Sequence, residues 1–588
     1  FPTRRSSDLR LSESARKHLS LAAVVGRTFD VDVVLAAGEI DEDDFLDAVD
    51  EAIAAKVVDD AAGGQGDQYS FSHGLIAGAM RASLNQRRLG RAHERVAAAL
   101  EQLRPNAVAD IAAHFDAAGV SEKAYQYALL AADRAVAVYA HNEAAASFAV
   151  AQRHAPTVEQ RLETRLRQAS ALELAGRYEE GVTLCDLILA EELSSGAGDR
   201  LIAVRRQRER VRLLLGQSLA DARASVEALL AEAQARGQRT EVILLQGMLS
   251  RIYLRMGEPA AGLAFAREAV DGAEEEGDER LLADTLVHMG TASLEGDPDG
   301  SVRSYRRALD TFERHNDLVS QARTHINLGI ALSQLGKVDA SRLHYEAALA
   351  LGRRTRTPDM VGLASLNLAV LLMKVGHFAE SETHLTEAMQ EFQVVRNELH
   401  RLAALYNLAN LAREREQMKR AAELYGEAAV VATSIAQADV EIGARSGQGL
   451  CYLSIGRAEE GRACLRTAEV LFARRPDWWF QGRELLISLR IRTALLDGKV
   501  RDAEQLFRDS LVLAERHDLY AAAWLVAEVA PDLIQAGYEA VRQEVERFRG
   551  ELSRLDFVPL TARYERLRLD SAGDGMGDSD GARPAVSV

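Results

Sequence analysis

Of 588 residues only three are cysteine, Cys185, Cys451 and Cys464, so far apart in the chain that they offer neither a disulfide framework nor a metal site. Proline is scarce at 10, and aromatics make up only 5%. That argues against a β-sandwich, which needs more aromatic and β-branched residues, and for a protein built from alanine and leucine in helices. No apolar run approaches the ~18 residues of a membrane span, and no signal-peptide pattern opens the chain. A cytoplasmic location is therefore expected. Only 7 of the 71 basic residues are lysine, which suggests a GC-rich bacterial coding sequence. The excess of acid over base, net charge −17, repels phosphate backbones and excludes nucleic-acid binding through the general surface. What is present, 47% hydrophobic and 27% charged residues, is ordinary globular composition, and the length leads us to expect about four domains.

Residues 1–9, FPTRRSSDL, do not join the pattern that follows and look like the translation of a sequencing adapter. They are set aside, with the expectation that the remainder is the C-terminal part of a longer protein.

From Gly176 a marker recurs at Gly216, Gly257, Gly296, Gly336, Gly376, Glu416, Gly456, Gly498 and Gly537, at intervals of 39 to 42 residues. Twelve residues after each of the first nine stands a mostly small residue: Ile188, Ala228, Ala269, Ala308, Ala348, Ala388, Ala428, Ala468, Ser510. Seven before the marker, the middle repeats carry Ser250, Gly329, Ala369, Ala409 and Gly449. A fixed period of this size means stacked repeats. In the unit 321–355, Ile326, Ile330 and Leu335 recur at helical spacing around the small Gly329, and Gly336 supplies the left-handed cap. Asp339 is an N-cap type that restarts a second helix, whose apolar residues are Leu343, Ala347, Ala348 and Leu349. Each pair leaves an apolar side uncovered, which the next pair must cover.

Leu328, Gly329, Gly336, Tyr345 and Ala348, with Tyr178 and Phe378 just after a marker, stand where the signature residues of the tetratricopeptide repeat stand. The resemblance covers roughly Arg161–Arg549 and implies an all-α, right-handed superhelical solenoid of about ten helix pairs. The period of about 40 exceeds the usual 34 and resembles the extended repeats of large bacterial signalling regulators.

Residues 10–103 follow another pattern. HLSLAAVVGRTF reads as an apolar helix ending at Gly26. DEDDFLDAVDEAIAAKVV reads as an amphipathic helix with Asp41–Asp44 at its positive end and Phe45, Leu46, Val49 and Ile53 as its apolar face. Two extended segments, near 56–59 and 68–72, flank the glycine-rich AAGGQGD and predict a winged-helix domain, followed by helices in FSHGLIAGAM and RRLGRAHERVAAALEQL. The order VVGRTF, VVDD, YSFSHGLIAGAM, RAHERVAAALE resembles the end of the nucleotide-binding module in signal-transduction ATPases with numerous domains. In that family a P-loop core precedes a winged helix and a helical repeat array follows as the sensor. The resemblances imply a winged helix at 10–103 followed by the repeat array at 161–550; a helical connector at 104–160, a terminal helix at 551–570 and, from its polar composition, a disordered tail at 571–588 are expected around them.

Neither Gly336-Lys337 nor Gly498-Lys499 belongs to a P-loop motif, so no catalysis and no cofactor is expected of this chain, while the resemblance implies ATP or ADP for the parent protein. It also implies a nucleotide contact for His73, which opens a helix, although Gly74 stands where animal and plant relatives carry Asp. The alternative for His73 is a helix cap. Asn327, Asn367 and Asn407 lie 40 residues apart in the same register, a row able to pair with the backbone of an extended peptide or to bond to neighbouring helices. His377, His384 and His400 show no ligand spacing, and Trp478, Trp479 and Phe480 read as a core plug at an irregular joint. The expected partners are a protein, peptide or small signal on the concave repeat surface and an upstream ATPase domain, with oligomerisation on activation and neither nucleic acid nor membrane. A freestanding scaffold and the regulatory arm of a nucleotide cyclase are the alternatives.

Overall fold

A computed structural model describes residues 11–60, 68–192, 201–473, 482–517, 519–552 and 558–572. The chain divides into two compact units, residues 1–175 with 180–194, and residues 176–179 with 195–588.

The first unit opens with α1 (Glu13–Val25), β1 (Thr28–Asp30), α2 (Val31–Gly38), α3 (Glu42–Ala54), β2 (Val58–Asp60) and β3 (Gln68–Phe71). The strands form one antiparallel sheet in the order β1-β3-β2. The hairpin was expected; the third strand, β1, was not, because three residues are too short to show alternation. Phe29, Phe45 and Phe71 meet beneath the sheet, each almost fully buried. On α3 the buried face runs through Phe45, Ala48, Val49 and Ala52, while Ile53, expected inside, is 39% exposed. One residue advances about 100° round a helix, enough to carry Ile53 off the stripe centred on Ala52. Then follow α4 (Gly74–Ala82), α5 (Gln86–Leu103), α6 (Val108–Ala118), α7 (Ser121–Ala137), α8 (His141–His154), α9 (Val158–Leu174) and α10 (Tyr178–Glu192).

The second unit continues as pairs: α11 (Leu201–Leu214) with α12 (Leu219–Ala235), α13 (Arg239–Arg255) with α14 (Pro259–Glu276), α15 (Glu279–Ser293) with α16 (Pro298–Arg314), α17 (Leu318–Gln334) with α18 (Val338–Arg354), α19 (Pro358–Lys374) with α20 (Phe378–Val394), and α21 (Glu398–Glu414) with α22 (Met418–Ser434). It ends with α23 (Ala438–Ser454) and α24 (Ala458–Phe472), α25 (Arg483–Leu496) and α26 (Val500–His517), α27 (Leu519–Gln535) and α28 (Val541–Leu552), and a last helix α29 (Val558–Ala572). This is an all-α solenoid of tetratricopeptide type.

The marker glycines work as expected. Gly257, Gly336, Gly376 and Gly456 take φ between +70° and +88° at the end of a first helix, and Glu416 takes φ +59° in the same place. Gly296 does not adopt this conformation. A second left-handed series closes the second helices at Gly237, Gly277, Asn316, Arg356, Arg396 and Ala436. Only two of these six are glycine, so no composition signal announces them. A non-glycine residue in this region carries steric strain of about 1 kcal/mol or more. Ala436→Gly is therefore expected to raise stability by about 0.5–1 kcal/mol, read as a shift in urea midpoint at constant m-value.

The small residues after the marker are buried at Ala269, Ala308, Ala348, Ala388, Ala428 and Ala468, but Ala228 is exposed. The turn at Gly216 holds one extra residue before α12 begins, which rotates that helix so that Val226 and Leu229 face inward instead. Before the marker, Ser250, Ala369 and Ala409 are fully buried, and a Cβ on Gly329 would lie 2.4 Å from the ring of Tyr345. Two details of the 321–355 unit differ from expectation. Asp339 makes no cap, since α18 starts at Val338 with Lys337 in the cap position, and its carboxylate serves the helix dipole from the first turn. Leu343 is 67% exposed because Ser341 and Tyr345, two residues to either side of it, take the buried face.

Candidate functional site

In α17 and α19 the residue seven before the marker, Gly329 or Ala369, faces its own second helix, its carbonyl accepting from Ser341 or Ser381. The residue two positions earlier lies about 200° round the helix, on the opposite flank. Successive first helices touch from α11 to α15 and from α17 to α25, and a bond from Arg323 to Asp284 at 3.0 Å joins α17 to α15, so these flanks line one side of the array. Asn327, Asn367 and Asn407 stand on that side in α17, α19 and α21. The Nδ2 of Asn367 donates to the carbonyl of Leu363 at 2.8 Å, and that of Asn407 to Ala403 at 2.9 Å. Each amide thus spends one N–H on its own helix, and its oxygen and second N–H lie outside that bond. Asn407 is buried and the other two are half-buried.

The row stops at Gly447, where a Cβ would lie 2.5 Å from the ring of Tyr425. The hydroxyl of Tyr425 donates to Asn410 Oδ1 at 2.5 Å. The same tyrosine position in the α15–α16 pair is Tyr305, whose hydroxyl meets Thr291 Oγ1 at 3.0 Å. Thr291 therefore corresponds to Asn410, and His288 corresponds to Asn407. Spacing from the marker hides this, because Gly290, which packs on Tyr305, stands six residues before Gly296, whereas Gly329, which packs on Tyr345, stands seven before Gly336. Burial pushes the His288 imidazole down to about 3, helped by Arg251 and Arg323 nearby. At neutral pH it is an uncharged hydrogen-bonding group and extends the row by one step.

Further along the array, α29 lies against α19. Arg563 reaches back 149 residues to Glu414 at 2.8 Å, and its other nitrogen meets Glu528 at 3.1 Å. Glu528 also accepts from Arg413 at 3.3 Å and pairs with Arg492 at 2.9 Å. Burial raises its carboxyl, but three guanidinium groups outweigh that and hold it at about 2. Arg413 stacks 4.6 Å from the ring of Trp524.

His73 is the N-cap of α4: its exposed imidazole accepts from the amide of Leu75 at 3.4 Å. His377 and His384 each sit beside a glutamate of their own helix, Glu380 and Glu387, and His400 beside Asn397 and Asp359. Gly336-Lys337 and Gly498-Lys499 occupy turns between paired helices. Trp478, Trp479, Phe480, the segment 1–9 and the glycine-rich tail fall outside the described residues.

A scan against protein families matches none, and no curated protein matches the sequence. Among solved structures, the chain is similar to a signal transduction ATPase with numerous domains (STAND) protein with a tetratricopeptide repeat sensor from Pyrococcus horikoshii. There identity is 11% and TM-score 0.37, over 78% of this chain and 63% of that one. It is also similar to a Rap protein complexed with competence and sporulation factor, at 16% identity and TM-score 0.42, over 65% of this chain and 99% of that one. A third is the APC/C hetero-tetramer Cut9-Hcn1, at 14% identity and TM-score 0.45, over 70% and 75%. The chain spans less than two thirds of the Pyrococcus horikoshii protein.

Proposed function

We propose that this chain is the ligand-sensing arm of a multidomain signalling ATPase and that its first-helix wall receives an extended peptide or a peptide-like segment of a protein. The observation that carries the reading is the row of His288, Asn327, Asn367 and Asn407, four hydrogen-bonding side chains in one register on adjoining helices. Amides repeated in this way satisfy a backbone without demanding a side-chain sequence. Binding would shift the arm between two states and so control a nucleotide-binding module upstream, with ATP or ADP held there and His73 reaching it from the cap of α4. The element order α1-β1-α2-α3-β2-β3 supports a winged helix as the joint between them.

Replacing Asn327, Asn367 and Asn407 together with alanine tests the groove. Affinity for peptide pools is expected to fall at least tenfold while thermal stability changes little; unchanged affinity with lost stability makes the row structural. The genomic sequence upstream of Arg10 tests the parent. A P-loop within the preceding ~300 residues, about two domains' length, supports the signalling ATPase. Its absence favours a freestanding scaffold, and a cyclase domain upstream favours the regulatory arm of an enzyme.

A further inference from the structure

We propose that copies of this chain associate head to tail through the first unit, the exposed arginines of α5 in one copy meeting the exposed aspartates of α3 in the next. Each face thus takes a second copy of the same chain as its occupant. Neither face belongs to the first-helix wall.

The buried side of α5 runs through Ala92, Val96, Ala99 and Leu100, and Arg88, Arg91 and Arg95 stand in a row on the opposite, exposed side. On α3 the buried side runs through Phe45, Ala48, Val49 and Ala52, and Asp43, Asp47 and Asp50 stand in a row opposite, also exposed. Among the described residues, none of these six side chains takes part in a hydrogen bond or an ion pair. Exposed arginines of the second unit differ: Arg314 and Arg353 each reach a carboxylate on a neighbouring helix. Local helix stability explains neither row. Acid favours a helix N-terminus only within the first turn, which accounts for Asp43 but not for Asp47 or Asp50. An arginine there is unfavourable, yet Arg88 lies in the first turn of α5.

The two spacings match. From Arg88 the arginine row steps three residues and then four; read backwards from Asp50, the aspartate row does the same. Laid antiparallel, the helices set Arg88 on Asp50, Arg91 on Asp47 and Arg95 on Asp43, each row about 10 Å long at a rise of about 1.5 Å per residue. Glu94, the acid nearest the arginines in sequence, lies about 90° round the helix from the centre of their row. Both helices pack on α1 with their buried sides, so the two rows face outward and cannot meet within one copy. Between copies they can, and each contact leaves one row free at either end, which makes the association heterologous. A guanidinium fork matches a carboxylate with two parallel N–H bonds. Exposed pairs each contribute little and are screened by salt, so the contact depends on three of them falling in register.

Sedimentation velocity of the full chain tests this. At about 0.1 M salt the Debye length of about 10 Å screens the repulsion between whole copies of net charge −17 but spares pairs in contact. The average mass is expected to rise with protein concentration there, and to stay that of one chain at about 1 M, where the Debye length is about 3 Å. Arg88→Asp, Arg91→Asp and Arg95→Asp together should weaken self-association at least tenfold, and so should Asp43→Arg, Asp47→Arg and Asp50→Arg together. Mixed in equal amounts, the two reversed chains should associate again, because each keeps the face that complements the other. Misfolding cannot produce that rescue. If a triple variant unfolds, Arg91→Asp and Asp47→Arg, alone and mixed, give the same readout. A natural chain that stays single at about 0.1 M salt overturns the association. Association that survives about 1 M salt, or either reversal, overturns the charged rows as its cause. Loss in both reversals without rescue in the mixture overturns the pairing of α5 with α3.

Discussion

Glu528→Gln is expected to cost about 3–5 kcal/mol, because it leaves the guanidinium groups of Arg413, Arg492 and Arg563 converging on a neutral amide in the interior. Glu528 is 9% exposed and the Arg413 side chain 7%, so water cannot take over the lost charge. The loss should be regional. Hydrogen exchange is expected to quicken through α25, α27 and α29 while the pairs α13–α18 keep their protection, since contacts in a stacked array pass only between neighbours. Adding Arg492→Met to the variant removes one of the three converging charges and leaves without its partner only Asp532, which is 37% exposed, so it should return part of the loss. A cost below about 1 kcal/mol, or uniform exchange across the second unit, would show that the cluster does not hold the C-terminal end together.

Acidification from pH 7 to pH 4 is expected to destabilise the protein before its carboxylates titrate. Burial holds His114 and His325 at about 4 and His288 at about 3, against 6.5 for a free imidazole. His114 and His325 also face a second histidine, His93 and His344, with the Nδ1 atoms 2.9 and 2.8 Å apart, so each pair holds one shared proton rather than a charge. Because the folded-state pKa values are depressed, the unfolded chain takes up protons that the native one refuses. The stabilisation is complete above about pH 6.5 and is lost as pH falls toward 4, and toward 3 for His288. A shift of this size corresponds to about 3 kcal/mol for a fully buried imidazole, and less at His325, which solvent reaches. Glu528 adds a later loss, between about 4.5 and 2, of the same sign. Urea midpoints measured at half-unit steps should therefore fall between pH 6.5 and 4.5. A flat profile in that window refutes the assignment, whereas a fall confined below pH 4.5 would belong to the carboxylates.

The repeat itself was legible because its turns use glycine. A left-handed residue at the end of each first helix selects glycine strongly enough to leave a period of about 40 in the chain. The turns at Asn316, Arg356, Arg396 and Ala436 have the same backbone and left no such trace, since surrounding packing holds ordinary residues there. The asparagine row was visible for the same reason as the markers. Its extension to His288 was not, because the turn at Gly296 is offset by one residue, and the equivalence shows only in space, where Tyr305 meets Gly290 and Thr291. Leu343 and Ile53 were expected inside on hydrophobicity alone, yet each lies beside a better-centred buried position.

Composition, spacing and turn chemistry by themselves determined that the chain is helical, that its helices come in pairs of fixed length, and which small residues let the pairs close. These are local properties, set by backbone preference and by side-chain size within one or two turns. The tertiary structure alone decided which charges meet. Arg563 finds Glu414 across 149 residues, Arg413 finds Glu528 across 115, and Arg251 and Arg323 come to flank His288 from different repeats. Electrostatic partners depend on distance in space, and stacking sets that distance through small rotations at every turn, which no single repeat encodes.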